Sequence, residues 1–145
     1  MAHLETNVAE YAIIFNEKKE FLLLQWSSNA NPPSSWHFPG GRMDVGEREI
    51  SGLERELKEE IAAQVTNLRV VYTRYISTQE IRKFAPGARD RYAVFYTAKL
   101  KNGSIPKLVT TDHVAMKWHA KSDLSKINFW LPFYKEMMVS VFEKI

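Results

Sequence analysis

The chain has 145 residues, 45% hydrophobic and 12% aromatic, with no cysteine and a net charge of +3. That is one domain's worth of protein with material for a sizeable core, and it excludes disorder, a collagen-like fibre, a multidomain array, a disulfide framework and thiolate chemistry. No apolar run reaches the length of a membrane span and the start MAHLETNVAE lacks the basic and apolar regions of a signal peptide, so a soluble, unprocessed, cytoplasmic protein is expected, with a charge too modest to argue for a nucleic-acid binder.

Val8 to Phe15 and Phe21 to Trp26 are short apolar runs rich in β-branched and aromatic residues, joined by a polar Asn16–Glu20, and they predict two strands of a hairpin. Ser27 to Ser35 is a loop by composition, and Pro39-Gly40-Gly41 is the strongest breaker in the sequence, where no regular element is expected to continue. From Glu47 to about Ala63 the recurrence of Ile50, Leu53, Leu57 and Ile61 predicts an amphipathic helix. Leu68 to Ile76, Tyr92 to Leu100 and Val114 to Trp118 read as further strands, with a loop around Pro86-Gly87. A closing helix is expected from Phe129, capped by Asn128, with Pro132 in its first turn and Met137-Met138, Trp130 and Phe133 on its apolar face. Strands, helix, strands, helix in that order predict a mixed sheet covered by a helix on each face, an α/β or α+β sandwich.

Charge is unevenly distributed. Glu47 to Glu60 holds six acidic residues against three basic, and Arg69 to Lys101 holds eight basic against two acidic, the arrangement that a metal-dependent site for an anionic substrate needs. Helical spacing puts Glu56, Glu59 and Glu60 on one side of the helix, away from its apolar stripe. Hard divalent ions such as Mg²⁺ or Mn²⁺ suit such a carboxylate patch. Read from the helix alone, the same residues are equally an ordinary charged outer face, with Glu54 and Lys58 paired at i,i+4. Gly40, Gly41 and Gly46 before the helix let a loop fold tightly against it, where a carbonyl can join the carboxylates.

Gly41, five residues, Glu47, seven residues, then Arg55-Glu56-Leu57-Lys58-Glu59-Glu60-Ile61-Ala62-Ala63 resembles the Nudix box of the MutT-like pyrophosphohydrolases. There, glycine, glutamate and Arg-Glu-apolar-x-Glu-Glu-x-Gly-apolar recur at those spacings. The lead-in Trp36-His37-Phe38-Pro39-Gly40-Gly41 is also similar, as is Asp112-His113 ahead of Trp118. The one departure is Ala62, where the family has glycine. Either the alanine adopts the left-handed conformation at a cost of about 1 kcal/mol, or the helix runs on to Gln64.

The resemblance implies a single Nudix domain over the chain, with its box at residues 41–63 and an α/β/α sandwich. It also implies Mg²⁺-dependent, or Mn²⁺-dependent, hydrolysis of a phosphoanhydride in a nucleoside diphosphate linked to another group, with a nucleoside triphosphate or a modified nucleotide the first expectation. Glu56, Glu59, Glu60 and the Gly41 carbonyl would hold the metal, Glu47 and Arg55 would brace the loop and a carboxylate, and Glu56 or Glu59 would be the general base. Arg42, Arg74 and Arg91, with Arg82, Lys83 and Arg89, are candidates for neutralising phosphates, because guanidinium forks match phosphate oxygens. Asp112 is a further candidate beside the substrate, as an extra ligand or as a plain turn aspartate. Trp36, Phe38 and Tyr75 are either base-stacking or core residues, and His37, His113 and His119 show no ligand spacing and receive no role. A symmetric homodimer is the default expectation. The rival readings are a nucleotide-binding regulator on the same fold, whose signature would be a damaged box, and an RNA-directed pyrophosphohydrolase using the basic segment.

Overall fold

The computed structural model describes residues 5–145, with side chains from residue 6 onward. The hairpin forms as expected from β1 (Glu5–Phe15) and β2 (Phe21–Trp26). Its turn is closed by the Asn16 side chain, whose Oδ1 accepts the Lys18 and Glu20 N–H groups. Then follow β3 (Trp36–His37), β4 (Gly40–Asp44), α1 (Ser51–Ile61), β5 (Val65–Ile76), the short α2 (Thr78–Ile81), β6 (Arg91–Leu100), β7 (His113–His119), a 3₁₀ turn at Lys121–Asp123 and α3 (Tyr134–Lys144).

The strands make one mixed sheet in the order β3-β2-β1-β6-β5, with β4 also on β1 and β7 also on β2. The β1–β6 pair is parallel, Val8 opposite Tyr92 through Phe15 opposite Lys99. Alternation along β1 sends Ala12 and Ile14 to one face and Tyr11, Ile13 and Phe15 to the other. Both faces are covered, which is why β1 reads as a continuous apolar run rather than an alternating one. On the first face Leu53, Leu57 and Ile61 of α1, all fully buried, pack with Leu22, Leu24, Tyr96 and Ala98. Burial of each such side chain contributes about 1.5–3 kcal/mol. On the other face Tyr134, Met137, Met138 and Val141 of α3 join Phe21, Leu23, Phe38 and Phe95. Among the described residues no helix is long and apolar enough to cross a membrane.

Several boundaries differ from expectation. The expected break falls at Phe38-Pro39, after β3 ends at His37, but the glycines are themselves regular: β4 begins at Gly40 and pairs with β1, Gly40 opposite Tyr11 and Gly41 opposite Glu10. The glycine permits this, because a Cβ at Gly40 would lie 2.1 Å from the Glu10 carbonyl oxygen. The first helix starts at Ser51, not Glu47, because the Glu47 carboxylate bends back onto the Asp44 N–H (2.6 Å) and holds residues 44–47 as a turn. Ile50, immediately ahead of α1, stands at φ 69, costing about 1–3 kcal/mol for a β-branched residue. The last helix starts at Tyr134, not Phe129, because Asn128–Trp130 bond to β3 instead: Trp36 N–H donates to the Asn128 carbonyl and Trp130 N–H to the Trp36 carbonyl, both at 2.8 Å. Met137 and Met138 are core as expected, and Trp130 and Phe133 are buried ahead of the helix.

At the end of α1 the chain takes the first of the two courses open to Ala62. It adopts φ 51, ψ 33, with its N–H on the Lys58 carbonyl and the next N–H on that of Leu57. Ala62 is exposed, so only backbone strain distinguishes alanine from glycine there. Ala62→Gly is therefore expected to stabilise the fold by about 1 kcal/mol in a urea melt, and a destabilisation would show that the left-handed cap is not populated.

Candidate functional site

The box helix lies against β4, and Arg55 occupies the junction. Its Nε and Nη2 donate to Glu47 at 2.8 and 3.1 Å. Its Nη1 donates to Glu56 and to Glu59, each at 3.1 Å, and Nη2 also meets the Arg42 carbonyl at 3.1 Å. Asp44 lies 3.4 Å from Nε. One guanidinium thus holds four carboxylates and one strand carbonyl, the use to which its planar fork is suited. Glu47 closes the loop against Asp44 while holding Arg55, and Gly52 is needed beneath it: a Cβ there would come within 3.0 Å of Glu47 Oε1.

Glu60 is 9% exposed and accepts the Gly40 N–H at 2.7 Å. Burial pushes its carboxyl up to about 8; the Gly40 bond opposes this, and the charges of Glu56, Glu59 and Asp112 reinforce it. Burial likewise raises Glu56, in spite of Arg55 beside it. The Glu56 carboxyl lies where a Cβ on Gly41 would be, 2.9 Å away. Glu56 and Glu60 therefore lie against the Gly40–Gly41 segment, with the charges of Glu59 and Asp112 close enough to act on Glu60, a set of carboxylates whose anionic forms disfavour one another. As the side chains stand, among the described residues no three acidic or histidine groups close a chelate, since Arg55 draws Glu56 and Glu59 and the Gly40 N–H holds Glu60. The donor set itself, all oxygen and starved of positive charge at Glu60, fits a hard divalent cation.

The proposed phosphate contacts are more dispersed. Arg42 donates to the Thr6, Arg89 and Asp90 carbonyls at 2.7–3.0 Å, binding β4 to the loop before β6. Arg74 pairs with Glu80 at 2.7 Å and lies 4.8 Å above the Phe133 ring. Arg91 donates to the Tyr11 hydroxyl at 3.1 Å, and its Nε is buried without a hydrogen-bond partner among the described residues. Tyr11 belongs to the core cluster on the α3 side of the sheet, so Arg91 is held on the face opposite α1. Asp112 is exposed and close enough for its charge to act on Glu60. Phe38 is core, Trp36 packs edge-on to His119, and Tyr75 is half-exposed with its hydroxyl donating to Asp90 at 2.6 Å.

Two groups lie outside the sequence expectations. Glu10, 1% exposed, accepts the Tyr96 hydroxyl at 2.6 Å and the Ile50 N–H at 3.4 Å, anchoring the turn ahead of α1. His37 and His113 meet Nε2 to Nε2 at 2.6 Å although 76 positions apart. Burial holds both below the ordinary histidine range. A lone carboxylate in an apolar strand was the only sequence hint of the first, and nothing in the spacing hinted at the second.

The family model for the NUDIX domain matches residues 6–139. An asymmetrical bis(5'-nucleosyl)-tetraphosphatase of Caenorhabditis elegans is 34% identical over 76% of this chain and 74% of its own length. An RNA pyrophosphohydrolase of a Nitratiruptor species is 33% identical over 54% of this chain, the match spanning half of that relative. The crystal structure of a C. elegans Ap4A hydrolase binary complex superposes with a TM-score of 0.70 at 25% identity, covering 96% of this chain and 97% of the other.

The brace has a direct test. Arg55→Met leaves Asp44, Glu47, Glu56 and Glu59 without their shared cation, and a loss of about 2 kcal/mol is expected in chemical denaturation at neutral pH. An unchanged midpoint would show that the guanidinium does not hold the loop to the helix.

Proposed function

The chain belongs to the NUDIX family, and on that premise we propose that it is a Mg²⁺-dependent hydrolase that cleaves a phosphoanhydride bond in a nucleotide-derived substrate, a nucleoside diphosphate linked to another group. The observation that carries the reading is the approach of Glu56 and Glu60 to the Gly40–Gly41 segment, with Glu59 drawn to the same guanidinium as Glu56 and with Arg55 and Glu47 bracing the loop. The intact carboxylate set favours an enzyme over a nucleotide-sensing regulator.

Glu56, Glu59, Glu60 and the Gly41 carbonyl would hold the metal, with Asp112 adding negative charge from the facing loop. When bound, the metal supplies charge withdrawal from the phosphates and a lowered pKa for water. Glu56 and Glu59 sit where one of them takes the proton of the attacking water. That water attacks phosphorus in line and expels a phosphate or a nucleoside monophosphate. Glu56, the more enclosed of the two with 18% of its side chain exposed against 49%, is the better shielded from competing solvent. Among the candidate arginines, Arg42 is engaged by main-chain carbonyls and Arg74 by Glu80, while Arg91 keeps a buried Nε with no hydrogen-bond partner among the described residues.

For the substrate, a nucleoside triphosphate or modified nucleotide is the simplest member of the class. The dinucleoside tetraphosphatase relative supports extending it to dinucleoside polyphosphates, and the RNA pyrophosphohydrolase relative to RNA 5' ends. The basic segment gives RNA little separate support. Arg91 opens β6 and Lys101 follows its far end, about 30 Å away at strand rise, so these two charges do not share a patch.

Product analysis across nucleoside triphosphates, ADP-sugars, dinucleoside polyphosphates and capped RNA, with and without Mg²⁺, tests the proposal. Cleavage of one class that stops on chelation is expected; tight nucleotide binding without turnover would favour the regulator. Glu59→Gln and Glu60→Gln are expected to lower kcat by about 10²–10⁴-fold with the circular dichroism spectrum unchanged, and an unaffected kcat in either variant would remove that residue from the site.

A further inference from the structure

The two segments that enclose Glu60 come from distant parts of the chain. One is β3 and the Phe38-Pro39-Gly40 lead-in, which brings the Gly40 N–H to Glu60 Oε1. The other is the stretch before β7. There the Lys107 and Val109 N–H groups donate to the Ile61 and Glu60 carbonyls at 2.7 and 2.9 Å, and Asp112 acts by charge on the Glu60 side chain. Those main-chain bonds satisfy carbonyls that the end of α1 leaves open, but they do not tie the second segment to the first.

β2 holds both segments at a distance through the main chain, pairing with β3 at His37 and with β7 at His113, and side chains that the mechanism leaves unused add a direct tie between them. Thr110 Oγ1 lies 3.2 Å from His113 Nδ1. His113 Nε2 lies 2.6 Å from His37 Nε2. One assignment of protons satisfies both contacts: His37 Nε2 accepts from His113 Nε2–H, and His113 Nδ1 accepts from the Thr110 hydroxyl. Both imidazoles are buried, at 3% and 5% exposure. The Trp26 indole lies flat on both, 4.1 Å from His37 at 9° and 4.6 Å from His113 at 27°. Packing thus fixes the ring planes and hydrogen bonds fix their edges, a combination that locks orientation.

We propose that the Thr110–His113–His37 relay is a positioning device for the hydrolytic site, stapling the Asp112 segment to the Gly40 segment so that both stay in place around Glu60. The relay rests on the reading of Glu60 as part of the metal-holding patch, and His37 and His113 are positioning residues, acting through Gly40 and Asp112.

Nitrogen-15 spectra of the histidine rings are expected to show His37 protonated at Nδ1, His113 at Nε2, and a scalar coupling between the two Nε2 atoms. His113→Phe, which keeps an aromatic ring under Trp26, is expected to speed hydrogen exchange at the Lys107 and Val109 amides by about tenfold or more while leaving α3 amides unchanged. It is also expected to lower kcat by about tenfold with KM for the nucleotide held, as a displaced site group does. His113→Gln, which keeps a donor near the Nε2 position, is expected to recover most of both. Thr110→Val reads the same effects from the loop end without entering the core, should the phenylalanine variant fail to fold. Wild-type exchange at Lys107 and Val109 in both His113→Phe and Thr110→Val would overturn the relay, and faster exchange with unchanged kcat would overturn its role in positioning. Absence of turnover in the wild-type chain, with the exchange result intact, would instead overturn the hydrolase reading and leave the staple standing.

Discussion

Arg55 is the residue on which the site depends. Asp44 and Glu47 come from the turn before α1, Glu56 and Glu59 from the helix itself, and all four place oxygens on one guanidinium. Carboxylates crowded this closely repel one another, and in the low-dielectric surroundings of a half-buried helix that repulsion is stronger than in water. A single planar cation with five donors can satisfy several of them with directional bonds, which a lysine cannot. Its second service is mechanical. By meeting the Arg42 carbonyl as well as the acids, it joins β4 to α1 and keeps the glycine segment beneath Glu60.

Glu60 stands outside Arg55's reach and is the group left short of positive charge. Its carboxylate accepts a neutral N–H from Gly40, its surroundings are buried, and three acidic neighbours bear on it. A protein built only for stability would not keep a carboxyl in that position. The same tolerance shows in the backbone, where Ile50 and Ala62 both hold positive φ at the two ends of the helix. Those strains are retained because the turn anchored by Glu10 and Glu47 at one end, and the left-handed exit at the other, set where the helix starts and stops relative to β4. Stability comes instead from the buried stripe of Leu53, Leu57 and Ile61 on the sheet, which presents the opposite side of the helix to the glycine segment.

The two faces of the sheet divide the work. The α1 face carries the carboxylates, and the α3 face carries Arg74 and Arg91 among aromatic rings. Gly40 belongs to the first set, its N–H bonded to Glu60, and its lack of a Cβ lets β4 approach β1 closely. The buried histidine pair stands at the end of β2, where His37 leads into the glycine segment and His113 follows Asp112.

What the sequence by itself determined is whatever depends on neighbours a few positions apart: the hairpin, the amphipathic helix with its carboxylates on one side, and the box spacing that identified the family. Helical and strand periods are local geometry, so Leu53, Leu57 and Ile61, or Glu56, Glu59 and Glu60, are legible from position alone. Only the tertiary structure decided where the helix begins, because Glu47 folds back to Asp44 and Arg55 instead of entering it. The same holds for β4, whose existence depends on a close approach to β1, and for the late start of α3, whose expected first turn bonds to β3. It also holds for Arg42, spent on carbonyls from two distant segments, and for His37 and His113, joined across 76 positions. Each of these is settled by partners that the chain brings together only on folding, and no spacing along the sequence encodes which distant group will be there.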